Sequence, residues 1–143
     1  MKVLVLNGPN LGRLDIRDSA IYGDMTYPNL VAHIQSAATT HGFEADVRQS
    51  NDEAEIIGWL HEAADSNTPV IINPAAFTHY SYAIRDAAEM VKAPLIEVHL
   101  SNPLSREEFR HTSVISGVAN GTIGGFGPNS YVLALIAMKA LVA

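Results

Sequence analysis

The sequence alternates short β-branched runs with longer segments of helical period. The strand-like runs occupy residues 3–7, 43–49, 69–73, 94–99 and 121–125. The segments with helical patterns occupy residues 26–41, the stretch after a Ser-Asn-Asp-Glu capping-box pattern at 50–53, and residues 80–92, 105–110 and 129–142. Parallel strands need helical crossovers, so this alternation predicts a parallel α/β sheet covered on both faces. With five strands we expect the flavodoxin-like order 2-1-3-4-5.

Size and composition narrow the class of protein further. A chain of 143 residues is expected to form one catalytic domain, residues 1–143. The net charge of −6 argues against a general nucleic-acid or anionic-membrane binder, although a local arginine cluster would still suit a small anion. The chain has no cysteine and no apolar segment of membrane-spanning length, and it begins without a signal-peptide pattern. We therefore expect a cytoplasmic protein.

The predicted sheet also predicts where a ligand binds. In such sheets the site lies beyond the carboxyl ends of the strands, where the strand order reverses. Here that point lies between the first and third strands, and the fourth strand ends beside it. The loops that follow these strands carry acid–base groups, cations and amides: Asn10, Arg17 and Tyr22; Asn73 and His79; Glu97, His99 and Ser101. Their convergence predicts a site for a polar ligand.

Each of these residues has a second interpretation when taken alone. Asn10 and Asn73 could be turn formers that bond to their own backbone. His99 follows a buried strand and could be a core histidine with satisfied hydrogen bonds. Tyr22 could simply pack, with its hydroxyl at the rim. Their occurrence together at one predicted edge of the sheet favours the functional interpretation.

The motifs predict neither a cofactor nor a metal. NGPNLGR at 7–13 matches neither GxGxxG nor GxxxxGK[ST], and Pro9 lacks the amide that a phosphate loop would use. The histidines have neither HxxxH nor HxH spacing. Lys2, Lys92 and Lys139, the only lysines, lie outside the three loops, so Schiff-base chemistry is not expected. A carbonyl substrate would then react through an enolate stabilised by hydrogen bonds.

Three long motifs together resemble the type II 3-dehydroquinate dehydratases (type II dehydroquinases) over essentially the whole chain. The motifs are NGPNLGRL followed by RDSAIYG, VIINPAAFTHYSYAIRDA, and PLIEVHLSNPLSREEFRHTSVIS. The resemblance implies removal of water from 3-dehydroquinate to give 3-dehydroshikimate, in the shikimate pathway or in quinate catabolism. It also implies a flavodoxin-like enzyme without metal or organic cofactor, assembled as a homododecamer of trimers.

The same resemblance implies the catalytic roles. Tyr22 matches the general base, and Arg17 matches the cation that favours its phenolate form, since a free phenol ionises only near pH 10. Asn10 matches a residue that holds a water against the enolate oxygen. His99 matches the general acid, and Glu97 its orienting partner.

The substrate-binding roles follow by the same resemblance. The positions that match groups holding the substrate carboxylate and hydroxyls are Asn73, His79, Leu100, Ser101 and Arg110. Arg110 is the natural carboxylate partner because its planar fork matches that group. Asp86 matches a residue that reaches in from a neighbouring subunit, and Arg106 matches an arginine at the lid and the edge of the site.

The chain departs from the family pattern at two places near the predicted site. Asp18-Ser19 stands where many members have Glu-Pro, and Ala75 where many have glycine. Neither departure removes a proposed catalytic group. Residues 7–23 are expected to form a mobile lid that carries Tyr22 and Arg17. Two alternatives remain: a binding module for a flavin or phosphorylated ligand, and a family member that has lost activity and serves as a scaffold.

Overall fold

The computed structural model describes residues 1–143 and contains one five-stranded parallel sheet. The strands are β1 Lys2–Asn7, β2 Glu44–Gln49, β3 Val70–Asn73, β4 Leu95–His99 and β5 Gly121–Gly124. Their order is β2-β1-β3-β4-β5, and every neighbouring pair is parallel. The predicted flavodoxin-like α/β fold is thereby confirmed.

Helices cover both faces of the sheet. They are α1 Ser19–Tyr22, α2 Tyr27–Thr40, α3 Glu53–Ser66, α4 Tyr82–Met90 and α5 Asn129–Val142. Helices α2 and α5 pack on one face, and α3 and α4 on the other. Successive residues of β1 and β3 enter opposite cores, which is why these strands are continuously apolar. No helix has both the length and the apolar character required to cross a membrane.

The capping box predicted at the start of α3 is wrong, because Ser50 and Glu53 do not form its two reciprocal hydrogen bonds. Asp52 caps α3, and its Oδ1 accepts a hydrogen bond from the Ala54 N–H at 2.9 Å. Ser50 instead accepts from the Asp52 N–H at 2.9 Å. The Glu53 carboxylate does not reach back to Ser50; it accepts from the Ser81 hydroxyl. Glu53 therefore links the starts of α3 and α4.

The single helix predicted at 105–110 is also wrong. Two separate 3₁₀ turns, Pro103–Ser105 and Glu108–Arg110, occupy this region. Arg106 lies between them in an extended conformation, with φ −111° and ψ −162°, so a helix cannot continue through it.

The segment after β1 is more ordered than an open loop. Leu11–Ile16 forms a 3₁₀ segment, whose side chains Leu11 and Leu14 are buried in the core under α2. Asp18 then caps α1 by accepting a hydrogen bond from the Ala20 N–H at 2.9 Å. The segment thus has a fixed first half and a short capped helix that ends at Tyr22.

Candidate active site

A cleft opens at the carboxyl ends of β1, β3 and β4, as the strand order predicts. Asn7 and Asn73 lie side by side at the ends of β1 and β3, and His99 ends β4. The residues around the cleft come from the segments that follow these strands: Leu11, Arg17, Tyr22, Asn73, Ala75, Ala76, His79, His99, Leu100, Ser101, Pro103, Arg106 and Arg110. The unfilled space between them is about 30 Å³, enough for roughly one or two waters.

Tyr22 lies on one side of the cleft beneath two arginines. Arg17 Nη2 donates a hydrogen bond to the Tyr22 hydroxyl. The guanidinium carbon of Arg17 is 3.6 Å from the centre of the Tyr22 ring, and that of Arg106 is 4.9 Å away. Two guanidinium groups thus lie against one phenol ring.

The cleft is cationic in a protein of net charge −6. Burial, together with the charges of Arg106 and Arg110, lowers the pKa of Arg17 below its ordinary value, while the nearby Tyr22 acts in the opposite direction. Arg106 Nε is buried without a hydrogen-bond partner, although its Nη1 donates to Ser101 Oγ at 3.2 Å. An unpaired buried donor among like charges indicates a site built for an anion.

His99 and Glu97 form a hydrogen-bonded pair on the opposite side. They alternate with Val98 along β4, so both side chains leave the sheet on the same face. His99 Nε2 lies 2.5 Å from Glu97 Oε2. The second ring nitrogen, Nδ1, is left for a ligand. The pair can therefore deliver a proton from an oriented imidazolium ring.

Hydroxyl groups surround the buried Glu97 carboxylate. Thr78 donates to Oε2 at 2.5 Å, Ser116 donates to Oε1 at 2.6 Å, and Ser113 contacts Oε1 at 2.9 Å. Burial alone would raise the pKa of Glu97, but the hydrogen bond and charge of His99 and the hydroxyls of Ser116 and Thr78 outweigh it and lower the pKa below its usual value. Glu97 is thus held as a carboxylate beside His99.

The floor and rim of the cleft carry hydrogen-bonding groups for a ligand. His79 Nδ1 is 2.8 Å from the Thr112 carbonyl, so its Nε2 is the free nitrogen. Arg110 uses Nε to donate to Glu107 at 2.9 Å, which leaves its terminal nitrogens available. The backbone N–H groups of Leu100 and Ser101 have no acceptor within the protein. These donors suit an oxygen-rich ligand.

Three of the predicted residues do not line the cleft: Asn10, Asp86 and Glu97, of which Glu97 lies directly behind His99. Asn10 is exposed, and its backbone N–H donates to Asn51 Oδ1 at 3.0 Å. Asp86 is exposed on α4, away from the residues around the cleft. The other nine predicted site residues line the cleft: Arg17, Tyr22, Asn73, His79, His99, Leu100, Ser101, Arg106 and Arg110.

Comparison with known proteins decides the family. Residues 1–139 match the family described as dehydroquinase class II. The chain belongs to this family. A 3-dehydroquinate dehydratase of Salinispora tropica is 55% identical over 135 residues, covering 94% of each chain. The 3-dehydroquinate dehydratase of Mycobacteroides abscessus is 54% identical over 135 residues, again 94% of each chain.

A solved class II dehydroquinase structure has the same fold. The type II dehydroquinase of Propionibacterium acnes superimposes with a TM-score of 0.95 at 50% identity, covering 97% of this chain and 96% of that one. The resemblance found in the three sequence motifs is thereby confirmed.

Sequence reasoning missed three residues that support the dehydroquinase site. Ser113 and Ser116 hydrogen-bond to Glu97 from a segment without a strand or helix pattern. The concentration of hydroxyls in HTSVIS at 111–116 was the available signal. Tyr131 hydrogen-bonds to the site residue Asn73 from α5, and no motif in the sequence marks it.

Proposed function

We propose that this protein is a 3-dehydroquinate dehydratase, a hydro-lyase that converts 3-dehydroquinate to 3-dehydroshikimate through an enolate. One observation carries the proposal: an arginine-bound tyrosine and a carboxylate-bound histidine line the same cationic cleft. A base and an acid at one cleft can remove the elements of water from a substrate held between them.

In the proposed mechanism Tyr22 is the base that removes the proton. Its phenolate takes the proton from the carbon next to the ketone, and the C–H electrons move to the carbonyl oxygen as an enolate. Arg17 donates to the Tyr22 oxygen and favours the phenolate before the proton moves. Asn10 has the role of holding a water against the enolate oxygen, which requires its side chain to turn toward the cleft from its present exposed position.

His99 is the acid that assists loss of the hydroxyl group. The enolate electrons return to form the carbon–carbon double bond as the C–O bond breaks, and His99 gives its proton to the departing oxygen, which leaves as water. Glu97 accepts from Nε2, fixes the ring and complements its positive charge. The proton taken by Tyr22 then returns to His99 through solvent, so the cycle is balanced.

The remaining residues hold the substrate. Arg110 pairs with the substrate carboxylate, and Asn73, His79 and the Leu100–Ser101 backbone contact its oxygens. Arg106 closes the edge of the cleft over Tyr22. Asp86 is proposed to act on the site of a neighbouring subunit, since it is exposed and does not line its own cleft.

The proposal also covers the oligomeric assembly, the cellular location and the metabolic pathway. We expect residues 1–143 to act as one catalytic domain in a homododecamer of trimers, in the cytoplasm, without metal or organic cofactor. The product serves the shikimate pathway of aromatic amino acid biosynthesis or quinate catabolism. Light scattering of the purified protein tests the oligomer: a mass of one 15.4 kDa chain would contradict it.

The activity is tested by following the ultraviolet absorbance of the conjugated product from 3-dehydroquinate, with chelator present and no cofactor added. We expect turnover under these conditions. An absence of signal from a protein with a folded circular dichroism spectrum would refute the proposed function.

Tyr22→Phe tests the base. The variant keeps the ring and loses the oxygen that takes the proton, so we expect kcat to fall at least a thousandfold while the substrate still binds. Tyr82→Phe is the matched control, because Tyr82 is exposed on α4 and does not line the cleft. Full activity in Tyr22→Phe would remove Tyr22 from the role of base.

A further inference from the structure

The hydroxyl of Tyr131 connects the ends of the two central strands beneath the cleft. It donates a hydrogen bond to Asn7 Oδ1 at 2.6 Å and accepts one from Asn73 Nδ2 at 2.9 Å. We propose that Tyr131 is a positioning residue that fixes the Asn73 amide so that it offers an N–H donor, and not an oxygen, to the ligand. The part of this inference that concerns 3-dehydroquinate rests on the proposed function.

These hydrogen bonds form a series that runs from the Arg48 carbonyl through Asn7 and Tyr131 to Asn73, and the Arg48 carbonyl sets the direction of each. Asn7 Nδ2 donates to the Arg48 carbonyl at 3.3 Å, and a carbonyl can only accept. Asn7 therefore presents its oxygen to Tyr131, and the Tyr131 hydroxyl must use its one proton there. The Tyr131 oxygen is then left as an acceptor for Asn73.

The other side of the Asn73 amide is fixed in the same sense. Asn73 Oδ1 accepts from the Ala75 N–H at 3.1 Å, and an N–H can only donate. The two ends of the amide are thus held by partners of opposite character, and a flipped amide would face a donor with its nitrogen. Of the two protons on Nδ2, Tyr131 uses one, and the other remains for the cleft that Asn73 lines.

Burial stabilises this arrangement of hydrogen bonds by excluding water from it. Asn7, Asn73 and Tyr131 are each 2% exposed or less, so water does not replace a lost partner. Desolvation raises the pKa of Tyr131 well above its ordinary value, although the hydrogen bond from Asn73 acts in the opposite direction. The hydroxyl consequently keeps its proton at neutral pH.

The consequence is chemical selectivity at one point of the cleft. A ligand group beside Asn73 must accept a hydrogen bond, as a carboxylate or hydroxyl oxygen does. Without the Tyr131 hydroxyl the Asn73 nitrogen loses its buried acceptor, the amide is oriented by the Ala75 N–H alone, and Asn7 Oδ1 loses the proton that Tyr131 donates. The ring of a phenylalanine fills the same core volume, so the packing of α5 is retained.

Tyr131→Phe is tested by steady-state kinetics with 3-dehydroquinate. We expect KM to rise at least fivefold with a smaller change in kcat, because ligand binding is weakened more than proton transfer. In Tyr131→Phe combined with Asn73→Ala, we expect kcat/KM to be within twofold of Asn73→Ala alone, since Tyr131 acts through Asn73. Multiplicative losses in the double variant, or an unchanged KM in Tyr131→Phe, would overturn the proposal.

Met138→Ala is the control for stability. Met138 is buried on the same face of α5 and does not line the cleft, so the variant should melt at a lower temperature with kcat/KM unchanged. An equal rise of KM in Met138→Ala would mean that loosening of α5, and not the hydroxyl, produces the effect.

Neutron diffraction from crystals of the deuterated wild-type protein tests the hydrogen-bond direction without relying on activity or on a variant. We expect the Tyr131 deuteron to point to Asn7 Oδ1 and two deuterons to lie on the Asn73 nitrogen that faces Tyr131. A Tyr131 deuteron directed at Asn73 would refute the inference even if the protein is an active dehydratase. The expected pattern in an inactive protein would uphold the inference and reject the proposed function.

Discussion

At the scale of the residue, Ala75 has the most unusual conformation in the cleft. Its φ is 52°, in the left-handed region, where a Cβ atom is unfavourable. Its N–H bonds to Asn73 Oδ1 from this position. The strained conformation therefore helps to hold a side chain that lines the cleft. The sequence shows only that alanine stands where many members of the family have glycine.

Ala75→Gly should relieve this strain. We expect the free energy of unfolding to rise by up to about 1 kcal/mol, because removal of the left-handed penalty exceeds the added entropy of the unfolded chain. Ala76→Gly, at the next position without a positive φ, should lower it by about 0.5–1 kcal/mol. Urea unfolding of both variants measures the difference. A destabilised Ala75→Gly would show that this backbone is not strained.

Individual residues of the cleft could be predicted because their types and their positions in the loops after the strands are visible in the sequence. Tyr22, Arg17 and His99 all line the predicted cleft. The partners of Glu97 could not be predicted in the same way, since Ser113 and Ser116 reach it through turns that follow no periodic pattern.

At the scale of the element, the segment from Leu11 to Tyr22 combines a buried anchor with an exposed part. Leu11 and Leu14 are buried, whereas the residues between Leu14 and Tyr22 are largely exposed. We therefore expect the lid to comprise α1 and the residues just before it, since these have few buried contacts to hold them.

Ser19→Pro should make this lid more rigid. Ser19 is the first residue of α1, where the N–H has no intrahelical acceptor, and Asp18 before it is already extended at ψ 112°. We expect the free energy of unfolding to rise by about 0.4–1 kcal/mol, since fewer unfolded conformations remain.

Hydrogen exchange of the α1 amides measures the local effect of Ser19→Pro, and exchange should become slower. Ser36→Pro, in the interior of α2, is the contrasting variant and should cost about 3 kcal/mol or more. Faster exchange of α1 in Ser19→Pro would show that the proline does not fit this turn.

The major helices and strands could be predicted because their periodic patterns coincide with buried faces. The two 3₁₀ turns around Arg106 could not be predicted, since they follow no repeating pattern of apolar residues.

At the scale of the whole molecule, the buried Glu97 carboxylate makes stability depend on pH. Its pKa is lower in the folded protein than in the unfolded chain, where a glutamate has a pKa of about 4.3. The unfolded chain therefore binds the proton first as the pH falls. The stabilisation from Glu97 is complete above the unfolded pKa and is lost as the pH falls through the folded value.

Glu97→Gln should remove this dependence. We expect a loss of roughly 1–3 kcal/mol of unfolding free energy near pH 7, and a smaller difference from the wild type below about pH 4. Glu89→Gln, at an exposed position without a hydrogen bond or ion pair, should follow the wild type. Urea titrations across this pH range make the comparison. A gap between Glu97→Gln and wild type that widens in acid would contradict the assigned direction.

The strand order could be predicted from the alternation of patterns, and with it the edge that carries the site. The contact between Tyr131 and Asn7 could not be predicted, because it depends on which helix packs over the central strands.

That contact joins residues 124 positions apart. Chains are synthesised from the N-terminus, so the strands that carry Asn7 and Asn73 emerge long before α5 exists. A nascent chain can pair its central strands early, but the hydrogen bond between Tyr131 and Asn73 forms only after α5 has docked. The proposed substrate site is therefore among the last parts of the fold to be completed during biosynthesis.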